Sequence, residues 1–163
     1  MSILPDVLDS GLKIVLCGTA AGNKSAERKQ YYAHPQNRFW RTLKEMKLTP
    51  IICSPKDFLD ITRYGLGLTD LAQNVFGPDS SLKDSDYDVD GLRKKIAYHQ
   101  PMFLAFTSKT AAEKYLGRPC AYGLQSKTIG TTKLYVLCSP STQAIKYWRK
   151  GIWQQLADLV RKN

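Results

Sequence analysis

Residues Leu12 to Asn23 read LKIVLCGTAAGN. A mostly apolar run passes straight into a turn holding two glycines and two alanines. A short, continuously apolar run bounded by a turn marks a strand buried on both faces. The turn itself, Gly18–Gly22, leaves backbone N–H groups open to a ligand, because Gly and Ala cover little of the backbone. It is no Walker loop, since no Gly-Lys-Ser/Thr follows. The spacing of Gly18 and Gly22 is also unlike a dinucleotide fingerprint.

Outward from this stretch, Met102–Thr107 (MFLAFT) and Lys133–Cys138 (KLYVLC) have the same buried-strand character, and Gly65–Leu71 (GLGLTDL) is a weaker case. Apolar periodicity between them predicts helices over Arg38–Met46, Pro55–Ile61, Val89–His99, Ser108–Leu116 and Ala144–Lys162. Ser108 is placed to cap the fourth of these. Strands alternating with helices indicate an α/β protein with a parallel sheet covered on both faces. Such sheets bind ligands outside the carboxyl ends of their strands. A site is therefore expected from Gly18–Asn23, Thr69 and Asp70, Thr107–Lys109 and Cys138–Gln143.

The chain has 163 residues, enough for one domain, taken here as residues 1–163. Lys plus Arg is 24 against 14 Asp plus Glu, a net charge of +10. A compact domain this basic favours an anionic partner, nucleic acid or a membrane surface. The acids are pooled: Asp79–Asp90 (DSSLKDSDYDVD) reads as a solvated loop, or as a face turned away from a polyanion. No apolar run approaches the roughly 20 residues of a membrane span. Met1–Gly11 lacks a signal-peptide pattern. Cys17, Cys53, Cys120 and Cys138 have no C-x-x-C spacing, so neither a metal site nor a disulfide framework is expected. A reducing, cytoplasmic setting follows, near the nucleoid if the source is bacterial. No cofactor is expected.

Tyr31–Trp40 (YYAHPQNRFW) interleaves aromatic rings with Arg and amides, which suits a base stacking on a ring. Phe39 and Trp40 read as the core face of the next helix. Tyr32, in the loop before Pro35, is the candidate stacking ring. Ser139–Pro140–Ser141–Thr142 ends the last strand; its hydroxyls suit either a phosphate or simple capping of the next helix. His34 and His99 read as structural.

Together Gly18–Gly22, Ala33–Trp40 (AHPQNRFW), Gly67–Leu71 (GLTDL), Ile129–Leu137 (IGTTKLYVL) and Ser139–Pro140–Ser141 fall in the order seen in uracil-DNA glycosylases. The chain most resembles the mismatch-specific uracil/thymine branch. It is also similar to the hypoxanthine-DNA glycosylase branch through Tyr31–Trp40 and Asp70. The resemblance runs from about residue 12 to residue 160. It implies a three-layer α/β/α sandwich around a short, four-stranded, mainly parallel sheet. It implies hydrolysis of the N-glycosidic bond of a deaminated base flipped out of DNA, by a monomer. One departure stands out. The similar branch carries Gly-Ile-Asn-Pro-Gly in its first turn, where the Asn positions the attacking water; here that slot is Ala20. An inactive damaged-DNA binding protein of the same fold is the alternative this departure raises.

The chemistry assigns roles on that reading. Glycosidic cleavage needs donors to the leaving base and a negative or dipolar group near the sugar. Gly18, Thr19 and Ala20 would face the base. Asp70, the one acid placed at the carboxyl end of a strand, would accept the ring N–H of uracil or hypoxanthine, or serve as general base. Asn37 is the second candidate for water or base contact, or else a helix cap. Gly22, Asn23, Ser25, Ser139, Pro140, Ser141 and Thr142 would meet the DNA. Gln143 falls where this superfamily places the wedge that fills the gap left by the flipped base.

Overall fold

The computed structural model describes residues 2–162. The central sheet contains β1 (Ile14–Gly18), β2 (Leu66–Asp70), β3 (Phe103–Phe106), β4 (Gly123–Ile129) and β5 (Thr132–Val136), in the order β2-β1-β3-β5-β4. β1 pairs in parallel with β2 and β3, and β3 in parallel with β5. β4 alone is antiparallel, forming a hairpin with β5.

The sheet thus has five strands, not the four expected from the sequence. The missed strand is β4, whose interior residues are exposed or half-buried, with only Gly123 and Ile129 buried. A strand with so little apolar surface to hide has no continuous apolar run to betray it. The four strands read from the sequence are buried throughout, apart from Lys133 of β5. Each lies within its expected stretch to within one residue.

Alternate residues of these strands feed two separate cores, as the pleat requires. Ile14, Leu16, Leu68, Phe103, Ala105 and Tyr135 pack against α2 (Phe39–Glu45), the 3-10 segment Pro55–Tyr64 and α5 (Lys150–Lys162). Val15, Cys17, Leu104, Phe106, Leu134 and Val136 pack against α3 (Val89–His99) and α4 (Lys109–Leu116). The result is the expected three layers. Asp88 and Ser108 start α3 and α4 by accepting from the N–H groups of Gly91 and Ala111, at 2.9 and 3.1 Å.

Two further local differences appear. A short helix, α1 (Asn23–Arg28), follows the first turn; its sequence NKSAER has no apolar stripe to reveal it. The C-terminal helix expected from Ala144 is broken. Thr142–Tyr147 forms a 3-10 turn, Trp148 is extended, and α5 begins at Lys150. The break is pinned by Cys138, whose Sγ accepts from the Arg149 N–H at 3.3 Å. No helix of the described residues is long and apolar enough to cross a membrane.

Candidate active site

Because β1, β2, β3 and β5 run the same way, their carboxyl ends share one edge of the sheet. They open there on a cleft of about 990 Å3. The first turn contributes Gly18, Thr19, Ala20, Gly22, Asn23 and Ser25; the aromatic loop contributes Tyr32 and Asn37. Asp70 comes from the end of β2, and Ser139, Pro140, Ser141, Thr142 and Gln143 from the loop after β5. Residues scattered along the sequence thus meet around one cleft.

Asp70 lies at the floor. It pairs in register with Gly18 and is only 8% exposed. Burial, followed by the neighbouring charge of Asp6, raises its carboxyl from 3.8 to about 7. A hydrogen bond from the Gly18 backbone and the charge of Lys95 pull the other way. A carboxyl poised near neutrality is suited to acid–base work.

Gly18 is where the site converges. A methyl group there would stand 2.9 Å from Asp70 Oδ1, 3.4 Å from Tyr32 Oη and 3.5 Å from Thr107 Oγ1. A Cβ there would force the Asp70 oxygen to shift and would touch the other two groups. The turn beyond is braced: the carbonyls of Gly18, Thr19 and Ala21 accept from the N–H groups of Leu71, Ala72 and Gly77.

Tyr32 is held from two sides. Its ring stacks on Phe39 at 3.8 Å and 10°, and its Oη lies 3.0 Å from Thr107 Oγ1. Thr107 Oγ1 is also 3.4 Å from the Cys17 carbonyl, and either hydroxyl can donate in the contact between Tyr32 and Thr107. Burial, then the Asp70 charge, keeps the phenol well above its ordinary range, so it stays protonated. Its backbone is left-handed, at φ 51°, uncommon for a bulky residue and held here by these contacts. Phe39 covers one face of the half-buried ring, and the ring lines the cleft.

The remaining candidates are placed as follows. Asn37 lines the cleft, but its Oδ1 accepts from the Phe39 N–H at 2.9 Å and so starts α2. Ser25 is buried and its Oγ accepts from the Ala33 N–H at 3.1 Å, tying α1 to the aromatic loop. Ser139 and Ser141 accept from the N–H groups of Ser141 and Gln143, which shapes their loop. Gly22, Asn23 and Gln143 are exposed on the cleft. His34 also lines it, with Nδ1 accepting from the Gln36 N–H at 3.1 Å.

Some contributors have no role in the sequence reading. Thr107 was legible only as a strand end. Asp6 gave no signal; it reaches β2 from the N-terminal segment, accepting from Thr69 Oγ1 at 2.6 Å and from Gln73 Nε2, and pairing with Lys95 at 2.7 Å. This network flanks Asp70 on both sides along the chain. Asp79, from the acidic stretch, is not turned away from the site: it lines the cleft and accepts from Thr19 Oγ1 at 2.6 Å.

The family model for the uracil DNA glycosylase superfamily matches residues 5–159. The chain belongs to that superfamily. Among solved structures, it is similar to a solution NMR structure of a Methanosarcina acetivorans protein provisionally described as a uracil DNA glycosylase. The TM-score is 0.64 at 20% identity, over 97% of this chain and 96% of that one. At that identity the likeness speaks for the fold.

Proposed function

We propose that the protein is a monofunctional DNA glycosylase that acts as a monomer on a deaminated base flipped out of DNA, uracil first and hypoxanthine second. The observation that carries this reading is the buried Asp70 carboxyl at the floor of the cleft, against Gly18, beside a ring able to stack on a base. The flipped base lies on Tyr32 with its polar edge toward Asp70 and the first turn. Hydrolysis forms a bond between water oxygen and the sugar C1′ and breaks the bond from C1′ to the base nitrogen. The base departs with the bonding electrons, and the proton that water gives up ends on the departed base.

Charged Asp70 has two possible duties. It accepts the ring N–H of uracil or hypoxanthine, which cytosine and adenine lack at that position, or it takes the proton of water. Both require the deprotonated carboxylate. Superfamily membership, the site geometry and the +10 charge support the enzyme reading. Ala20 favours the second reading, a damaged-DNA binding protein without turnover, because a methyl group neither orients nor deprotonates water.

Oligonucleotides carrying uracil, hypoxanthine or normal bases, single-stranded and paired, separate the readings after alkali treatment. Strand scission at the lesion supports the enzyme. A shifted but intact band across the panel supports the binder, and neither scission nor binding rejects both.

A further inference from the structure

The rim beside β5 carries charged and aromatic groups that the chemistry above does not use. The 3-10 turn Thr142–Tyr147 buries none of its residues, and Tyr147 is 56% exposed on the cleft. Tyr122, half-buried on the same cleft, has Lys109 Nζ 4.4 Å from its ring centre. Arg149 is fixed by its backbone to Cys138, its N–H bonding to Sγ and its carbonyl accepting from the thiol at 3.4 Å. Its side chain lines the same cleft as Tyr122.

Among the described residues, neither Lys109 nor Arg149 is paired with a carboxylate. Glu113, one turn along α4 from Lys109, is instead engaged by the Cys120 N–H at 3.0 Å. Lys24, also on the cleft, is paired with Glu27 at 3.1 Å. Asp79 also lines the cleft, beside the first turn through Thr19. A polyanion entering the cleft therefore meets unpaired cations at Lys109 and Arg149.

We infer that Lys109, Arg149, Tyr122 and Tyr147 form a second subsite, for the nucleotide next to the flipped one on the same strand. The two cations take its phosphate, and an exposed tyrosine face takes its base. A cation-lined path with aromatic platforms is how proteins hold unpaired strands. The subsite thus extends recognition to single-stranded DNA. This inference rests on the reading of the cleft as a DNA site.

The test uses the whole protein and a labelled, short single-stranded oligonucleotide carrying a stable abasic-site analogue, with binding followed by anisotropy across salt concentrations. Lys109→Gln and Arg149→Gln should each flatten the plot of log affinity against log salt by about 0.7. Tyr147→Leu, at an exposed position, should weaken binding about tenfold or more at an unchanged salt slope. A wild-type slope in the Lys109→Gln/Arg149→Gln double variant overturns the phosphate contact. Wild-type affinity in Tyr147→Leu overturns the base contact. If the unsubstituted protein binds a duplex carrying the analogue but not the single strand, the subsite is overturned; if it binds neither, the DNA reading itself falls.

Discussion

Asp70 is a residue held at a cost to the fold. Its proton binds more tightly in the folded protein, at about 7, than at the ordinary 3.8. Between those values the folded state holds more protons than the unfolded chain, so Asp70 makes stability fall as pH rises from about 4 to about 7. Asp70→Asn should therefore be more stable than the parent at pH 8, by an amount of order 2–4 kcal/mol, with the gap narrowing at pH 5 and closing near pH 4. Thermal denaturation at both pH values measures it, and an equal or lower melting temperature at pH 8 refutes it. Turnover should move the opposite way. As general base, Asp70→Asn abolishes cleavage with binding retained; as ring N–H acceptor, it slows uracil or hypoxanthine removal and relaxes exclusion of cytosine. Near-normal turnover with unchanged selectivity removes Asp70 from the chemistry.

Because the carboxylate is the active form on either duty, cleavage should rise with pH through about 7. Asp6→Asn should shift that rise to lower pH, since the Asp6 charge is one of the causes that lift Asp70. A pH profile that does not move separates the two residues. At Tyr32, loss of a stacking ring is worth about 1–3 kcal/mol per base. Tyr32→Ala should cut the single-turnover rate roughly tenfold to over a hundredfold. Tyr32→Phe, which keeps the ring on Phe39 and loses only the contact to Thr107, should be mild. Wild-type cleavage by a folded Tyr32→Ala protein rules out the stacking role.

Among the elements, the first turn is the most exacting. Gly18→Ala would place a methyl group 2.9 Å from Asp70 Oδ1, so the carboxylate must move. Misplacing a reacting group costs rate, so Gly18→Ala should cleave more slowly than the parent. A folded Gly18→Ala protein with full activity would show that the floor of the cleft adapts freely. Ala20 is half-exposed on the cleft, so an Asn side chain has somewhere to go. Ala20→Asn should raise or broaden cleavage if the water positioning of the branch that the sequence resembles carries over. Lower activity in a folded variant means water is held by another route.

The same elements show what a sequence reveals. Runs such as LKIVLC announce themselves because a strand buried on both faces must be apolar throughout. β4 stays silent because its outer face is solvated and polar. The strand ends were legible for the same reason as the strands, so the loops at Gly18, Asp70 and Ser139 could be placed together without coordinates. Asp6 could not. Its link to Thr69 and Lys95 joins distant parts of the chain and leaves no periodic trace. The break before α5 was equally hidden, because it depends on the backbone of Arg149 meeting the Cys138 sulfur.

For the whole molecule, charge sets the terms of association. A net +10 predicts DNA binding that weakens steeply with salt. Each phosphate neutralised on duplex DNA contributes about −0.9 to the slope of log affinity against log salt. Titrations from low to physiological salt should give a slope of several units; a flat response would rule out backbone contacts as the source of affinity.

The strand order also dictates how the molecule comes into being. β1 lies inside the sheet, between β2 and β3, yet Ile14 pairs with Leu66 on one side and with Phe103 on the other. β3 must then wait for β5 before its own second edge is covered. During synthesis the earliest strand therefore leaves the ribosome long before its neighbours exist, carrying apolar side chains on both faces. Local contacts cannot shelter it, and pairings this distant form slowly. The nascent chain thus passes through an extended interval of exposure to aggregation, and its dependence on chaperones should be greatest before β3 and β5 emerge.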